Sequence, residues 1–130
     1  MRLEYNLDNI AGFKVDKGWG YEHIVVTNEL YCLKYLVFNK VGARFSYHFH
    51  KEKDETWTVL QGSFILRLKN TTTGHDNVSM TLLPGESIRI NPMTIHQLVA
   101  LHANSVILEV STSDMYDDNF RIEPGDSQSE

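Results

Sequence analysis

Apolar residues in this chain recur at every second position, in short runs punctuated by Gly, Asn, Asp or Pro, and that alternation admits β-strands and little else. Successive side chains of a strand point to opposite faces, so each run asks for one buried face and tolerates one wet face. The pattern predicts strands over Trp19–Thr27, Tyr31–Phe38, Arg44–His50, Glu55–Leu60, Ser63–Lys69, Val78–Leu83, Ser87–Ile90, Ile95–Leu101 and Ser105–Ser111. No segment carries convincing helical spacing, so the expected fold class is all-β, a sandwich or barrel. The polar stretch KNTTTGHDN reads as a long hairpin loop that separates two glycine-punctuated sets of strands. Two such sets are what two Greek keys bring to a jelly roll. The barrel is expected over residues 19–113, preceded by an N-terminal arm at 1–18. An acidic tail at 114–130 follows, with Phe120 and Ile122 as anchors on the exterior and a loose end.

With 130 residues there is room for one domain with one core, so any chemistry must sit in a single pocket. A net charge of −5, with Lys and Arg spread along the chain, argues against a nucleic-acid partner. No run approaches the eighteen or so apolar residues of a membrane span, so no membrane partner is expected. The lone Cys32 has no partner for an internal disulfide, and the N-terminal residues lack the features of a secretion signal. Both point to a reducing cytoplasm. The sequons at Asn70 and Asn77 then read as polar turns.

One constellation carries chemistry. Gly42 is followed after five residues by His48, then by His50, Glu55 and Gly62. Residues i and i+2 of a strand share a face, so His48 and His50 converge on one point. The intervening KEKD has the length of a hairpin loop, which returns the chain antiparallel with Glu55 opposite the histidines. In the second half Gly85 precedes His96 by eleven residues, with Asn91 and Pro92 marking a turn, and His96 is placed to complete the set. Three imidazoles and a carboxylate suit one divalent transition metal, Mn, Fe, Co, Ni, Cu or Zn, with one or two positions open to water or substrate.

The run GARFSYHFHKEKDETWTVLQG resembles the first cupin motif, G(x5)HxH(x4)E(x6)G, with every spacing kept. The second motif, G(x5)PxG(x2)H(x3)N, is met in part: the spacing from Gly85 to His96 holds, Pro92 falls one place late, Met93 stands at the second glycine, and Ala100 replaces Asn. A narrower resemblance, from Trp19 to about Glu123, is to the cupin domain of type II phosphomannose isomerases. KGWGYEHIV is similar to that family's RPWGxYE, HKEKDETW to HHHRxEHW, GESIRINPMTIHQL to GESVYIPxGxxHRL, and VILEVSTSDMYDDNFRIE to LELIEVQSGxxLxEDDIVRxED. This chain departs from the family at His48, where the family has Gln.

The resemblance implies a cupin jelly roll and a metal-assisted interconversion of an aldose and a ketose through an enediolate. The substrate would be a carbohydrate, plausibly a sugar phosphate such as mannose 6-phosphate. Glu109, within VILEVST, is the candidate base, its pKa expected to rise through desolvation among apolar neighbours. The alternation leaves it open whether Glu109 or the set Val106, Leu108 and Val110 faces inward. Lys53 and Arg121 are candidates to hold a phosphate, and Trp57 to stack on a sugar ring. An oxidative cupin such as a dioxygenase, favoured by an apolar and cation-poor pocket, and a sugar-binding cupin without turnover are the alternatives. His23, His75 and His102 read as outward-facing or exposed, and Cys32 as a small buried residue. A homodimer is expected, with the segment Leu3–Val15 crossing to the partner.

Overall fold

The computed structural model describes residues 2–70, 78–114 and 117–128. A 3-10 turn, Leu7–Asn9, leads into β1 (Phe13–Lys17), β2 (Gly20–Thr27), β3 (Tyr31–Phe38), β4 (Tyr47–Phe49) and β5 (Glu55–Gln61). Then come β6 (Phe64–Asn70), β7 (Val78–Leu82), β8 (Ser87–Ile90), β9 (Thr94–Ala100), β10 (Ser105–Thr112) and β11 (Phe120–Glu123). The strands form two antiparallel sheets, ordered β1-β2-β3-β10-β5-β8 and β11-β4-β9-β6-β7. This is a two-sheet jelly roll. Among the described residues no helix is long and apolar enough to cross a membrane.

Between the sheets lies a core of Leu36, Phe38, Val59, Ile90 and Ile107 from one side and Phe64, Leu66, Leu82 and Leu98 from the other. These are the inward positions of the alternation. Gly62 turns β5 into β6 at φ +75°, and a Cβ there would run into the Ser105 side chain. Only glycine satisfies both demands.

Several expectations change. The strand predicted over Arg44–His50 shortens to Tyr47–Phe49, with one isolated bridge from Arg44 to Val99. Its backbone is taken by other partners: Arg44 N–H donates to Asp126 Oδ2 (2.9 Å), Arg44 O accepts from Asp126 N (3.0 Å), and Phe45 O accepts from Gln97 Nε2 (2.8 Å). The tail is therefore part of the barrel, not an appendage. Its Phe120–Glu123 adds β11 beside β4, where Phe120 stacks on Phe49 at 5.2 Å. Ile122, expected to anchor, is 53% exposed.

The N-terminal segment does not reach outward either; it folds over the outer face of its own six-stranded sheet. Leu7 is buried against Val37 and Val106, Glu4 N–H donates to Gln61 Oε1 (2.9 Å), and Gln61 Nε2 donates to Arg2 O (2.7 Å). Beneath this cover an outward-pointing residue is no longer exposed. His23 is accordingly buried, with Nε2 3.2 Å from Ile10 O and 3.1 Å from Ala11 O, which corrects its expected exposure. His102 is exposed and Cys32 buried, as their positions suggest. The loop with His75, together with Thr71, Thr72 and Asn77 of the two sequons, lies outside the described residues.

Candidate metal centre

The two sheets bring different chemistry to one end of the barrel. β4 and β9 pair so that His48 stands directly opposite His96, and His50 follows at the end of β4. The three rings offer nitrogens that all lie within 4.8 Å of one another, and all three residues are buried. From the facing sheet, Glu55 opens β5 and sets Oε2 3.4 Å from His50 Nε2 and 3.5 Å from His96 Nε2.

Each imidazole is oriented by its other nitrogen. His48 Nδ1 lies 2.7 Å from Ser46 O, His96 Nδ1 lies 2.8 Å from Thr94 O, and His50 Nδ1 bonds to Asp118 O. A carbonyl only accepts, so Nδ1 carries the proton in all three rings and Nε2 is left as a lone pair. Such backing is how proteins fix the tautomer of a metal-ligating histidine. Burial lowers the pKa of all three, that of His96 to about 3, and neighbouring imidazoles add to the effect at His48 and His96. The rings are neutral near pH 7. Their contacts with Glu55 are therefore not ion pairs.

Glu55 Oε2 is the one buried side-chain oxygen or nitrogen among the described residues without a hydrogen-bond partner. It faces lone pairs, while Oε1 accepts from Trp57 Nε1 at 2.8 Å. Burial and then the charge of Glu109 push its pKa up, against the pull of Lys53. An orphaned carboxylate oxygen amid imidazole lone pairs needs a proton or a cation. The three histidines could hold a divalent metal, and Glu55 Oε2 lies beside them where it could join the set.

Behind this group is a charge cluster, buried at Lys34, Lys53 and Glu109 and open to solvent at Asp114. Glu109 faces inward and is paired across the strands with Lys34 of β3 and Trp57 of β5. Lys53 Nζ lies 3.0 Å from Glu109 Oε2 and 3.3 Å from Asp114 Oδ1. Lys34 Nζ lies 3.1 Å from Asp114 Oδ2, 3.2 Å from Glu22 Oε2 and 3.9 Å from Glu109 Oε2.

These contacts correct three expectations. Burial alone would raise the pKa of Glu109, but the Lys34 and Lys53 ammonium groups outweigh it and hold the carboxyl well below the usual range. Lys53 is buried and committed to Glu109 and Asp114, so it is not a free cation for a phosphate. Trp57 is 1% exposed with its N–H given to Glu55, so it orients that carboxylate and presents no open ring face to a sugar. Arg121 differs. It is exposed at the rim of the cavity, and no ion pair or hydrogen bond of its side chain is found among the described residues.

The cavity over the centre has a volume of about 650 Å³. Sequence reasoning missed Lys34, Glu22 and Asp114. Lys34 had a signal: it shares the inward alternation of Cys32, Leu36 and Phe38, where an unpaired lysine has no place.

No family model matches the chain, and no curated protein matches it. Solved structures do. The oxalate decarboxylase of Bacillus subtilis superposes with a TM-score of 0.73 at 18% identity over 93% of this chain and 32% of that one. KdgF from Halomonas sp. gives 0.69 at 22% identity, over 90% of this chain and 97% of that one. An RmlC-like cupin from Shewanella frigidimarina gives 0.67 at 18% identity, over 90% and 95%. The fold is a cupin. The capsular polysaccharide assembling protein CapF from Staphylococcus aureus matches at 0.72 with 15% identity over 85% of this chain. This chain spans about a third of the length of CapF and of the decarboxylase. At these identities the likeness carries the fold and leaves the chemistry to the site.

Proposed function

We infer that this cupin is a metal-dependent aldose–ketose isomerase whose substrate is an anionic sugar, such as a sugar phosphate of the mannose 6-phosphate type. The observation that carries the reading is a divalent-metal donor set sharing one polar cavity with the buried Lys53–Glu109 pair. A metal held by His48, His50, Glu55 and His96 would supply Lewis acidity toward neighbouring hydroxyl and carbonyl oxygens.

The residues around it have distinct work to do. Glu109 is ionised through the neutral range and can accept the proton that moves between C2 and C1. Lys53 Nζ, 3.0 Å away, can donate to an oxygen that gains charge as that proton leaves. A substrate oxyanion that draws Lys53 toward itself weakens the grip on Glu109 and raises its basicity. Arg121 at the rim is free to pair with a terminal anion. The charges lining the cavity support an anionic substrate. Lys17, Lys34, Lys53 and Arg121 balance Glu22, Glu55, Glu109 and Asp114, so a divalent metal leaves two positive charges in excess. The same cations weigh against an oxidative cupin with an apolar pocket.

A second reading, a sugar-binding cupin without turnover, is favoured by the hold of two lysines on Glu109. One experiment separates them. Metal-loaded and chelator-treated protein is assayed anaerobically on mannose 6-phosphate and related sugar phosphates. The isomerase reading expects product without oxygen, lost on chelation and restored by metal. No conversion of any sugar phosphate by fully loaded protein sinks it, and calorimetric binding without turnover then establishes the second reading. A homodimer belongs to the proposal too, and a monomer in light scattering removes it.

A further inference from the structure

The tail residue Asp118 is not part of the donor set, yet it touches the centre through two separate groups. Its main-chain carbonyl accepts from His50 Nδ1. Its carboxylate accepts three consecutive backbone N–H groups, those of Lys51 (2.6 Å), Glu52 (3.1 Å) and Lys53 (2.9 Å). Those three residues form the turn between His50 at the end of β4 and Glu55 at the start of β5. The side chain is buried, so the bonds compete little with water.

We propose that Asp118 is a positioning residue of the metal centre, tying the C-terminal segment to the geometry of His50, Glu55 and Lys53. Three N–H groups pointing at one carboxylate fix the path of the turn, and with it the distance between two ligands carried on opposite sheets. The carbonyl fixes the third variable, the rotation of the His50 ring, so that Nε2 and not Nδ1 faces the centre. A ligand held this way loses little freedom when it binds, and outer partners of this kind typically affect metal affinity 10- to 100-fold. The acidic tail thereby acquires a task that its composition alone does not reveal. The inference rests on the metal reading above.

The test uses the full chain and Co²⁺ or Zn²⁺ alone. Affinity is measured by competition with a chromophoric chelator, and the Co²⁺ absorption spectrum reports the ligand geometry. Asp118→Ala is expected to weaken binding about 10- to 100-fold and to change the Co²⁺ spectrum. Asp118→Asn keeps the backbone carbonyl and one side-chain acceptor, and is expected to fall between. Asp126→Ala loosens the tail at Arg44, away from the ligands, and is expected to bind metal like the wild type. Wild-type affinity and spectrum in folded Asp118→Ala overturn the inference while the metal reading stands. If that variant does not fold, wild-type binding by Asp118→Asn overturns it. A wild-type chain that binds neither ion overturns the metal reading and this inference together.

Discussion

Met93 adopts φ +67°, a left-handed conformation that is costly for a side chain with a Cβ. It stands at the position where the second cupin motif has glycine, in the turn that delivers His96, and its N–H donates to His50 O at 2.7 Å. The backbone path is thus kept although the residue that eases it is absent. Met93→Gly is expected to raise the stability of the metal-free chain by about 1 kcal/mol, read as a higher urea midpoint. An unchanged or lower midpoint would mean that packing of the Met93 side chain outweighs the strain. The histidines make a second prediction at this scale. Their folded pKa values lie below the unfolded value of about 6.5, so below that pH the unfolded chain binds more protons than the fold. Stability is present above about pH 6.5 and is lost as pH falls toward 3, where His96 titrates. Each imidazole held neutral steepens the loss by about 1.4 kcal/mol per pH unit. Glu55, whose raised pKa keeps a proton in the fold, offsets one of the three. Urea midpoints of the chelated protein at pH 7 and pH 5 check the sign, and equal midpoints would contradict it.

Strands were the legible elements because one face of each is buried by the other sheet, and a period of two survives in sequence. Tyr31–Phe38 and Ser87–Ile90 have the bounds the alternation predicts. The candidate ligands His48, His50 and Glu55 came with them, since their placement follows from strand parity and one hairpin. β1 and β11 were not legible as barrel strands. Both lie at sheet edges, with side chains largely exposed or half-buried, so no alternation marks them. The arm packs on its own barrel: Leu7, one of the apolar residues that have the look of an interface, covers a surface of its own chain. Leu7 is the test of that cover. It is 4% exposed against Val37 and Val106, so Leu7→Ala is expected to cost about 2–3 kcal/mol in urea unfolding. A loss below about 0.5 kcal/mol would show that the arm contributes little to its own barrel.

At the scale of the whole molecule, the cluster around Lys34 draws on β2, β3, β10 and the chain beyond it, and Glu22, Lys34 and Glu109 are far apart in sequence. That is why the sequence placed a base at Glu109 but not the lysines that hold its proton affinity down. A lysine on an inward face is interpretable only once the carboxylates from other strands are known. The cluster is also where the barrel is most exposed to a single change. Lys34 is buried and faces Glu22, Asp114 and Glu109, so Lys34→Met leaves the shielded carboxylates of Glu109 and Glu22 with one cation fewer, while Asp114 keeps its contact with solvent. Removing one partner of a buried ionic group typically costs 3–5 kcal/mol, more than the intact pair contributes. The expected outcome is a chain that unfolds at markedly lower urea, with Lys34→Met/Glu22→Gln recovering about 1–2 kcal/mol, because Glu22 faces Lys34 alone whereas Asp114 and Glu109 keep Lys53. Additive losses in that cycle would mean that Lys34 and Glu22 are not coupled. Recovery would identify Lys34 and Glu22 as one electrostatic unit that the fold must satisfy.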